Sequence, residues 1–352
     1  MTKIKKITFV LGTRPQIIKS GPIIKELAKK KFIVDIIHTG QHYDYNLSNI
    51  FLKNSKAINI KNLNIGAGTQ LEQISKIITK LEKLFKKNKP DLIVIPGDTT
   101  SAVAGALSAS KCKIKIAHLE AGARSNQFYM TEEINRRIID HCSDILFAPT
   151  RNCLENLKLE SVFGQTYFVG DTMYDQFLNW KKNTKITKNN KKTNEILITI
   201  HRAENINNVE NLKKICEIVN KLQKKYHIIF PVHPNTKKQL LKNKLKINAE
   251  IILPQNHSNM MKLVNNADLV ITDSGGLQKE AYWMGTPCIT IRENTEWKET
   301  IEERANIIMP LSKPFQYKKA EKMMSLKFKT KPSLFGGGKA VDKIIKVLKN
   351  LE

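Results

Sequence analysis

The stretch Leu269-Val270-Ile271-Thr272-Asp273-Ser274-Gly275-Gly276-Leu277-Gln278-Lys279-Glu280-Ala281 decides how the rest of the chain is read. Its short apolar run reads as a buried strand, and a Ser-Gly-Gly turn then opens a helix through Met284. Two successive glycines let the backbone approach a bound group with no Cβ in the way. The helix start adds free N–H groups and the positive end of the dipole, a setting that suits phosphate. Glu280 follows Gly276 by about one helical turn, within reach of the ribose of a nucleotide whose phosphates sit on the turn. An ordinary strand–turn–helix joint, with Gly for tight packing, explains the stretch equally well, so the remaining sequence has to discriminate.

Strand and helix patterns alternate on both sides of it. In the first half, apolar runs at 7–11, 32–38, 91–95, 114–118, 145–148 and 167–169 read as strands. Helical spacing appears at 16–30, 70–88, 100–110, 132–141 and 151–159. The 70–88 segment has Leu71, Ile74, Ile77, Ile78, Leu81, Leu84 and Phe85 on one face. A polar Lys/Asn-rich stretch at 181–194 reads as a surface loop near a domain junction. The pattern then restarts with strands at 196–200, 228–230, 251–253, 269–271 and 288–291 and a helix at 208–224. The expected fold is α/β, with two Rossmann-like doubly wound domains facing a cleft, spanning 1–171 and 172–335. The Gly-rich tail at 336–338 leads into an amphipathic helix that can return to the first domain. A length of 352 residues suits two domains with a sizeable core.

Composition narrows the function. The formal net charge is +27, which invites a nucleic-acid reading. Yet the excess is Lys mixed with Asn and Ile, as at 84–89, without the aromatic interleaving of RNA-binding modules. The expectation is therefore no nucleic-acid partner. Only eight arginines occur, and Arg14, Arg124, Arg136, Arg202 and Arg292 all fall in the motifs discussed below, where a bidentate fork has a use. No apolar run approaches a membrane span, and the N-terminus lacks a signal-peptide pattern. Five scattered cysteines without a CxxC pair point to reduced thiols and a cytoplasmic location.

In doubly wound folds ligands bind at the carboxyl ends of the strands, so those positions hold the candidates. The first strand ends in Gly12-Thr13-Arg14-Pro15-Gln16, and Arg14 and Lys19 can face a phosphate there. No GxGxxG motif is present. The strand at 91–95 leads to Gly97-Asp98-Thr99-Thr100, with Asp98 placed as a helix N-cap. The next ends in His118-Leu119-Glu120-Ala121-Gly122, an apolar setting where a carboxylate needs a partner. Glu132 and Glu133 open a helix, where acidic residues are favoured in any case. Each of Asp98, Glu120 and Glu132 has a structural explanation alone, but three carboxylates on one cleft are harder to explain so. In the second half His201 and His233 lie at successive strand ends. Neither an HExxH spacing nor a DxD pair is present, so no metal site is expected.

Taken together, the motifs resemble those of the non-hydrolysing UDP-N-acetylglucosamine 2-epimerases over nearly the whole length. They are GTRPQIIK (12–19), TGQH (39–42), GDTT (97–100), HLEAGARS (118–125), EEINR (132–136), HRAEN (201–205), PVHPN (231–235), TDSGGLQKEA (272–281) and RENTEW (292–297). The resemblance implies a glycosyltransferase-B-type fold and a homodimer. It also implies a reaction without NAD or an essential metal, in which UDP leaves across C1–C2 to give 2-acetamidoglucal and re-adds with C2 inverted. By motif position it implies Asp98, Glu120 and Glu132 as acid/base carboxylates and His201 at the leaving phosphate. Arg14 and Lys19 then line the nucleotide-sugar site, Ser274, Gly275 and Gly276 hold phosphate, Glu280 the ribose and Gln255 the uracil. Gln41-His42 matches the segment where bacterial members bind a second substrate molecule.

Two departures from the family pattern keep alternatives open. Trp297 stands where the family often has an arginine, and Met130-Thr131 where a Pro often precedes the paired Glu. The first resembles relatives acting on UDP-2,3-diacetamido-2,3-dideoxyglucuronate, which is one alternative substrate. A hydrolysing relative releasing UDP and N-acetylmannosamine is another reading of the same fold.

Overall fold

The structure, a computed structural model, describes residues 4–40, 59–186 and 193–351. Gln41 and His42 lie outside the described residues. The chain divides into two compact units. One comprises Met1–Leu178 with Pro332–Glu352, the other Asn179–Lys331.

The first unit is built on strands β1 (Lys6–Leu11), β2 (Ile33–His38), β3 (Asn59–Asn62), β4 (Leu92–Pro96), β5 (Lys115–Leu119), β6 (Ile145–Ala148) and β7 (Gln165–Phe168). They form one parallel sheet in the order β3-β2-β1-β4-β5-β6-β7. Successive residues of a strand point to opposite faces. Phe9 and Val94 therefore pack on one side with Ile23, Leu27, Ile344 and Leu348, while Val10, Ile93 and Ile95 pack on the other with Ile77, Leu81 and Ala106. Both faces are covered, which is why these strands read as continuous apolar runs. Edge strand β3, with sequence Asn-Ile-Lys-Asn and mostly exposed, offers no such pattern and is not detectable from spacing.

The tail returns to this unit. Helix Ala340–Lys349 packs beside helix Arg14–Lys29, and Asp175 accepts hydrogen bonds from the N–H groups of Ala340 (3.2 Å) and Val341 (2.9 Å) at its start. The glycine of the tail is required by contact. Gly336 has φ 84° and Gly170 φ 102°, and a Cβ on Gly336 would lie 2.4 Å from the Cα of Gly170.

The second unit repeats the scheme with β8 (Glu195–Thr199), β9 (His227–Pro231), β10 (Glu250–Ile252), β11 (Leu269–Thr272), β12 (Cys288–Thr290) and β13 (Asn306–Ile308). The order is β10-β9-β8-β11-β12-β13, all parallel. Its core joins Ile196, Ile198, Phe230, Leu269, Ile271 and Ile289 to helix residues Leu212, Ile215, Val219 and Leu222. In both sheets the winding reverses between the first and fourth strands of the unit, β1/β4 and β8/β11. The loops diverge there and leave a crevice.

Three expectations need correction. The division falls inside helix Thr172–Thr184 and not at Asp171, because Tyr174 and Phe177 are buried and Tyr174 packs its ring against Phe335 of the tail. The same helix runs through Thr184, into the stretch expected to be loop. Leu71 is 79% exposed, so the buried face of helix Gln70–Lys87 starts a turn later and centres on Ile77, Leu81 and Phe85. All five cysteines are free thiols. Among the described residues no helix is long and apolar enough to cross a membrane.

Candidate active site

The β1/β4 crevice of the first unit is fastened by Gln16. Its Oε1 accepts from the N–H groups of Gly12 (2.8 Å) and Thr13 (3.1 Å), and its Nε2 donates to the Pro96 carbonyl (2.7 Å). The ends of β1 and β4 are thereby tied together, with half-buried Arg14 at the start of its helix beside them. Gln16 lies inside the GTRPQIIK motif, but only its 80-residue reach to Pro96 shows its role.

Beyond Pro96 the chain turns at Gly97, where φ is 68°, a region that suits glycine. Asp98 follows. The expected N-cap role is wrong: Thr99 caps helix Thr100–Lys111, its hydroxyl accepting from the Ala102 N–H (3.3 Å). Asp98 is free for other work and receives Arg136, whose Nε and one terminal nitrogen both lie 2.7 Å from Oδ2. Asn135 donates to the Asp98 carbonyl (2.8 Å). Helix Thr131–Cys142 thus reads out the β4 loop through two consecutive side chains.

Glu120, at the end of β5, is a non-glycine residue at φ 70°. Such left-handed backbone costs roughly 1–3 kcal/mol and persists where the surroundings impose it. Its carboxylate pairs with Lys19, which meets the expectation of a partner but also commits Lys19 to a carboxylate in this state. Both side chains line a small cleft with Pro149, Asp171 and Thr172. Of the adjacent glutamates, Glu133 is fully buried and accepts from Ser125 N–H (2.8 Å) and Oγ (3.0 Å), with Arg137 at 3.3 Å. Glu132 is half-buried, and its carboxylate has no partner among the described residues. The acidic pair therefore splits into a structural and an uncommitted member, a distinction that depends on helical phase.

A buried charge cluster lies behind these loops. Asp140 Oδ2 accepts from Arg124 (2.7 Å) and from the Gly122 N–H (3.1 Å), and Arg124 forks onto Glu160 (2.9 and 2.7 Å). Burial pushes the Asp140 carboxyl up, yet the charges of His118 and Arg124 outweigh it and hold it below the ordinary carboxylate range. Glu160 behaves likewise, with burial offset by Arg124 and Arg137.

In the second unit the β8/β11 crevice holds a pocket of about 270 Å³. It is lined by His201, His233, Gln255, Ser274 and Glu280 together with Thr199, Pro254, Met260 and Leu277. Ser274 caps helix Gly275–Met284, accepting from the Leu277 N–H (3.4 Å), so the N–H groups of Gly275 and Gly276 open the first turn. The imidazoles of His201 and His233 lie 6.2 Å apart. Fully buried Asp273 fixes the loop carrying His201: it accepts from the N–H groups of His201 (3.1 Å) and Arg202 (2.9 Å) and from Asn205 Nδ2 (3.0 Å). Glu280 faces the pocket with His257 Nε2 at 3.0 Å. Next to the turn, Trp297 is 5% exposed, with the Lys279 ammonium 3.6 Å from its ring centroid and Arg292 paired to Glu296 alongside. Among the described residues no group of three or more His, Cys, Asp or Glu is placed to hold a metal ion.

The sequence matches the UDP-N-acetylglucosamine 2-epimerase family over residues 25–349. The chain belongs to this family. A UDP-N-acetylglucosamine 2-epimerase of Methanocaldococcus jannaschii is 43% identical to it, over 97% of this chain and 98% of that protein. A crystal structure of a UDP-GlcNAc 2-epimerase from the same organism, in complex with UDP-GlcNAc and UDP, superposes with a TM-score of 0.87 at 42% identity, covering 97% and 99% of the two chains. A UDP-2,3-diacetamido-2,3-dideoxy-D-glucuronate 2-epimerase of Pseudomonas aeruginosa is 36% identical, over 98% of this chain and all of that one. The calicheamicin glycosyltransferase CalG4, at 12% identity and a TM-score of 0.55 over 99% and 96% of the chains, shares the fold alone. The epimerase-family chain thus has the expected glycosyltransferase-B-type fold of two parallel-sheet α/β domains.

Within this epimerase fold, His201, Gln255, Ser274 and Glu280 meet in one pocket, with Gly275 and Gly276 on the adjoining turn. Asp98, Glu120, Arg14 and Lys19 stand at neighbouring strand ends of the first unit, and Glu132 on the helix that grips Asp98. Sequence reasoning missed the anchoring carboxylates Asp140 and Asp273 and the bridging Gln16. Each acts across a long sequence separation that no local spacing records.

Proposed function

We propose that this protein interconverts UDP-N-acetylglucosamine and UDP-N-acetylmannosamine by eliminating and re-adding UDP. A carboxylate removes the C2 proton. The C2–H electron pair forms the C1=C2 bond of 2-acetamidoglucal, and the C1–O bond breaks with its electrons leaving on UDP. In the return step a UDP β-phosphate oxygen bonds to C1, and a carboxylic acid delivers a proton to C2 from the opposite face. UDP and not water captures the glucal, so little free sugar forms.

The chain's groups match these demands. The C2 proton is weakly acidic, so the base must be held close and in the right ionisation state. Asp98, Glu120 and Glu132 supply the acid and base, with Arg136 orienting Asp98. Charge develops on the departing diphosphate, and fixed donors stabilise it without reorganising. His201, the Ser274–Gly276 turn and Arg14 are those donors. Glu280 takes the ribose hydroxyls, Gln255 the uracil, and Lys19 lines the sugar site while paired to Glu120.

The observation that carries the reading is the second-unit pocket, where a helix start, an imidazole, a carboxylate and an amide converge at a switch point. It suits a nucleoside diphosphate, the class of ligand bound to the related archaeal enzyme in its crystal structure. The N-acetylglucosamine substrate is preferred because the relatives at 43–44% identity carry that name or are called its homologue, against 36% for the uronate enzyme.

The test is incubation with UDP-N-acetylglucosamine, followed by NMR in deuterated water. UDP-N-acetylmannosamine carrying deuterium at C2 is expected, with little N-acetylmannosamine released. Product that retains its C2 hydrogen would refute proton exchange with solvent, and release of free sugar as the main product would favour hydrolysis. A parallel incubation with the diacetamido uronate that turned over far faster would replace the substrate assigned here.

A further inference from the structure

His118 is fully buried on β5, and both of its ring nitrogens face oxygen atoms. Nε2 lies 2.9 Å from the carbonyl of Gly97, and Nδ1 lies 2.6 Å from Oδ1 of Asp140. A carbonyl oxygen only accepts, so Nε2 must carry a proton. The other oxygen of Asp140 already takes hydrogen bonds from the Arg124 guanidinium and the Gly122 N–H. Those contacts favour an ionised carboxylate, which has no proton to offer Nδ1. A neutral imidazole would then turn a lone pair toward one of two acceptors in a dry site, a costly arrangement.

We infer that His118 is held as a doubly protonated imidazolium, and that this cation is a positioning residue for the turn carrying Asp98. Local charge supports it. Arg124 pairs with Asp140 and Glu160, Arg137 with Glu160 and Glu133, and Arg136 with Glu133 and Asp98, so three arginines face four connected carboxylates and a charged His118 supplies the fourth cation. Gly97 joins the two parts, since its carbonyl accepts from the ring while its N–H donates to the Leu119 carbonyl (3.0 Å). A hydrogen bond from a cation is shorter and stronger than one from a neutral ring. It holds the turn one residue before the carboxylate that Arg136 grips from the other side. His118 touches no substrate in this scheme and acts through the Gly97 backbone. The kinetic consequence rests on the role proposed for Asp98, whereas the protonation state does not.

The experiment uses the full chain labelled with ¹⁵N in its histidine rings. One of the eight histidines is assigned to position 118 by the signal lost in His118→Gln. At neutral pH both of its nitrogens are expected to show directly bonded protons. One bare nitrogen would overturn the inference without touching the epimerase reading. His118→Gln keeps a neutral donor and loses the charge. Provided UDP binding and the urea midpoint show it folded, kcat should fall on the order of tenfold to a hundredfold with KM changed by less than about threefold. An unchanged kcat would refute the positioning role. Native turnover in Asp98→Asn would instead strike the role given to Asp98, and the imidazolium would still stand or fall on its spectrum.

Discussion

Asp98 and Glu133 show how little residue type says about role at single positions. Both are carboxylates near the same helix, yet Glu133 is sealed against Ser125 while Asp98 keeps 29% of its side chain exposed under an arginine fork. Replacing Asp98, Glu120 or Glu132 by its amide preserves shape and removes the ionisable group. Each change should lower kcat on the order of a hundredfold or more, read by coupled assay or NMR, while UDP affinity measured by calorimetry holds. Near-native turnover in all three would remove the chemistry from these strand ends.

The buried cluster supports a stability prediction at the same scale. Asp140 and Glu160 have folded-state values lowered below their unfolded ones, so they bind fewer protons when folded. Their contribution is fully present above the unfolded value of about 4 and is lost as pH falls through the lowered folded values. Urea midpoints should therefore decline on acidification from about pH 5 to about pH 3, and the decline should be shallower in Glu160→Gln. Arg124→Met leaves Asp140 buried with one partner fewer and should cost about 3–5 kcal/mol of unfolding free energy at neutral pH. An unaltered midpoint would contradict the cluster as described.

At the scale of elements, the start of helix Gly275–Met284 separates fold from function cleanly. A Cβ on Gly275 would find its nearest neighbours at 3.5 Å (Trp297 Nε1), 3.8 Å (Glu296) and 3.9 Å (Arg292), all ordinary contact distances. Its φ is not positive, so alanine fits without strain and should leave the urea midpoint unchanged or slightly raised. The methyl group would nevertheless stand beside the Gly275 and Gly276 N–H groups that open the first turn, the donors proposed for phosphate. Gly275→Ala is expected to weaken UDP binding by about tenfold or more in calorimetry. Unaltered affinity would place the diphosphate elsewhere. In the first unit, helix Thr131–Cys142 shows a similar economy: it buries Ile139 and Asp140, and Asn135 and Arg136 reach Asp98.

On the scale of the whole molecule, the first unit is discontinuous in sequence. Val341, Ile344, Ile345 and Leu348 of the C-terminal helix are part of its core. Burying each such side chain is worth roughly 1.5–3 kcal/mol. A chain ending at Lys331 should therefore lose cooperative unfolding of the first unit, whereas the contiguous second unit should keep binding UDP. Differential scanning calorimetry with and without UDP separates the two. Retention of the full transition by the truncated chain would show the tail to be dispensable.

Periodicity and strand-end chemistry made much of this architecture legible from sequence. Both strand runs, the helix starting at Gly275 and the grouping of His201, Ser274 and Glu280 follow from local pattern, because side-chain direction repeats at 2 and 3.6 residues along a chain. Strands β3 and β13 escaped: β3 is the polar, mostly exposed Asn-Ile-Lys-Asn, and β13 is only Asn306-Ile307-Ile308, too short to show a period. The family, and with it the roles expected for the site, was also readable in the ordered motifs. Only the tertiary structure decided which charges meet. That Thr99 and not Asp98 caps its helix, that Lys19 is held by Glu120, that Gln16 spans to Pro96, and that His118 lies between Gly97 and Asp140 are contacts between segments distant in sequence or choices between adjacent residues. Such contacts depend on the angle at which a loop leaves its strand and on the phase at which a helix lands, quantities that no local composition encodes.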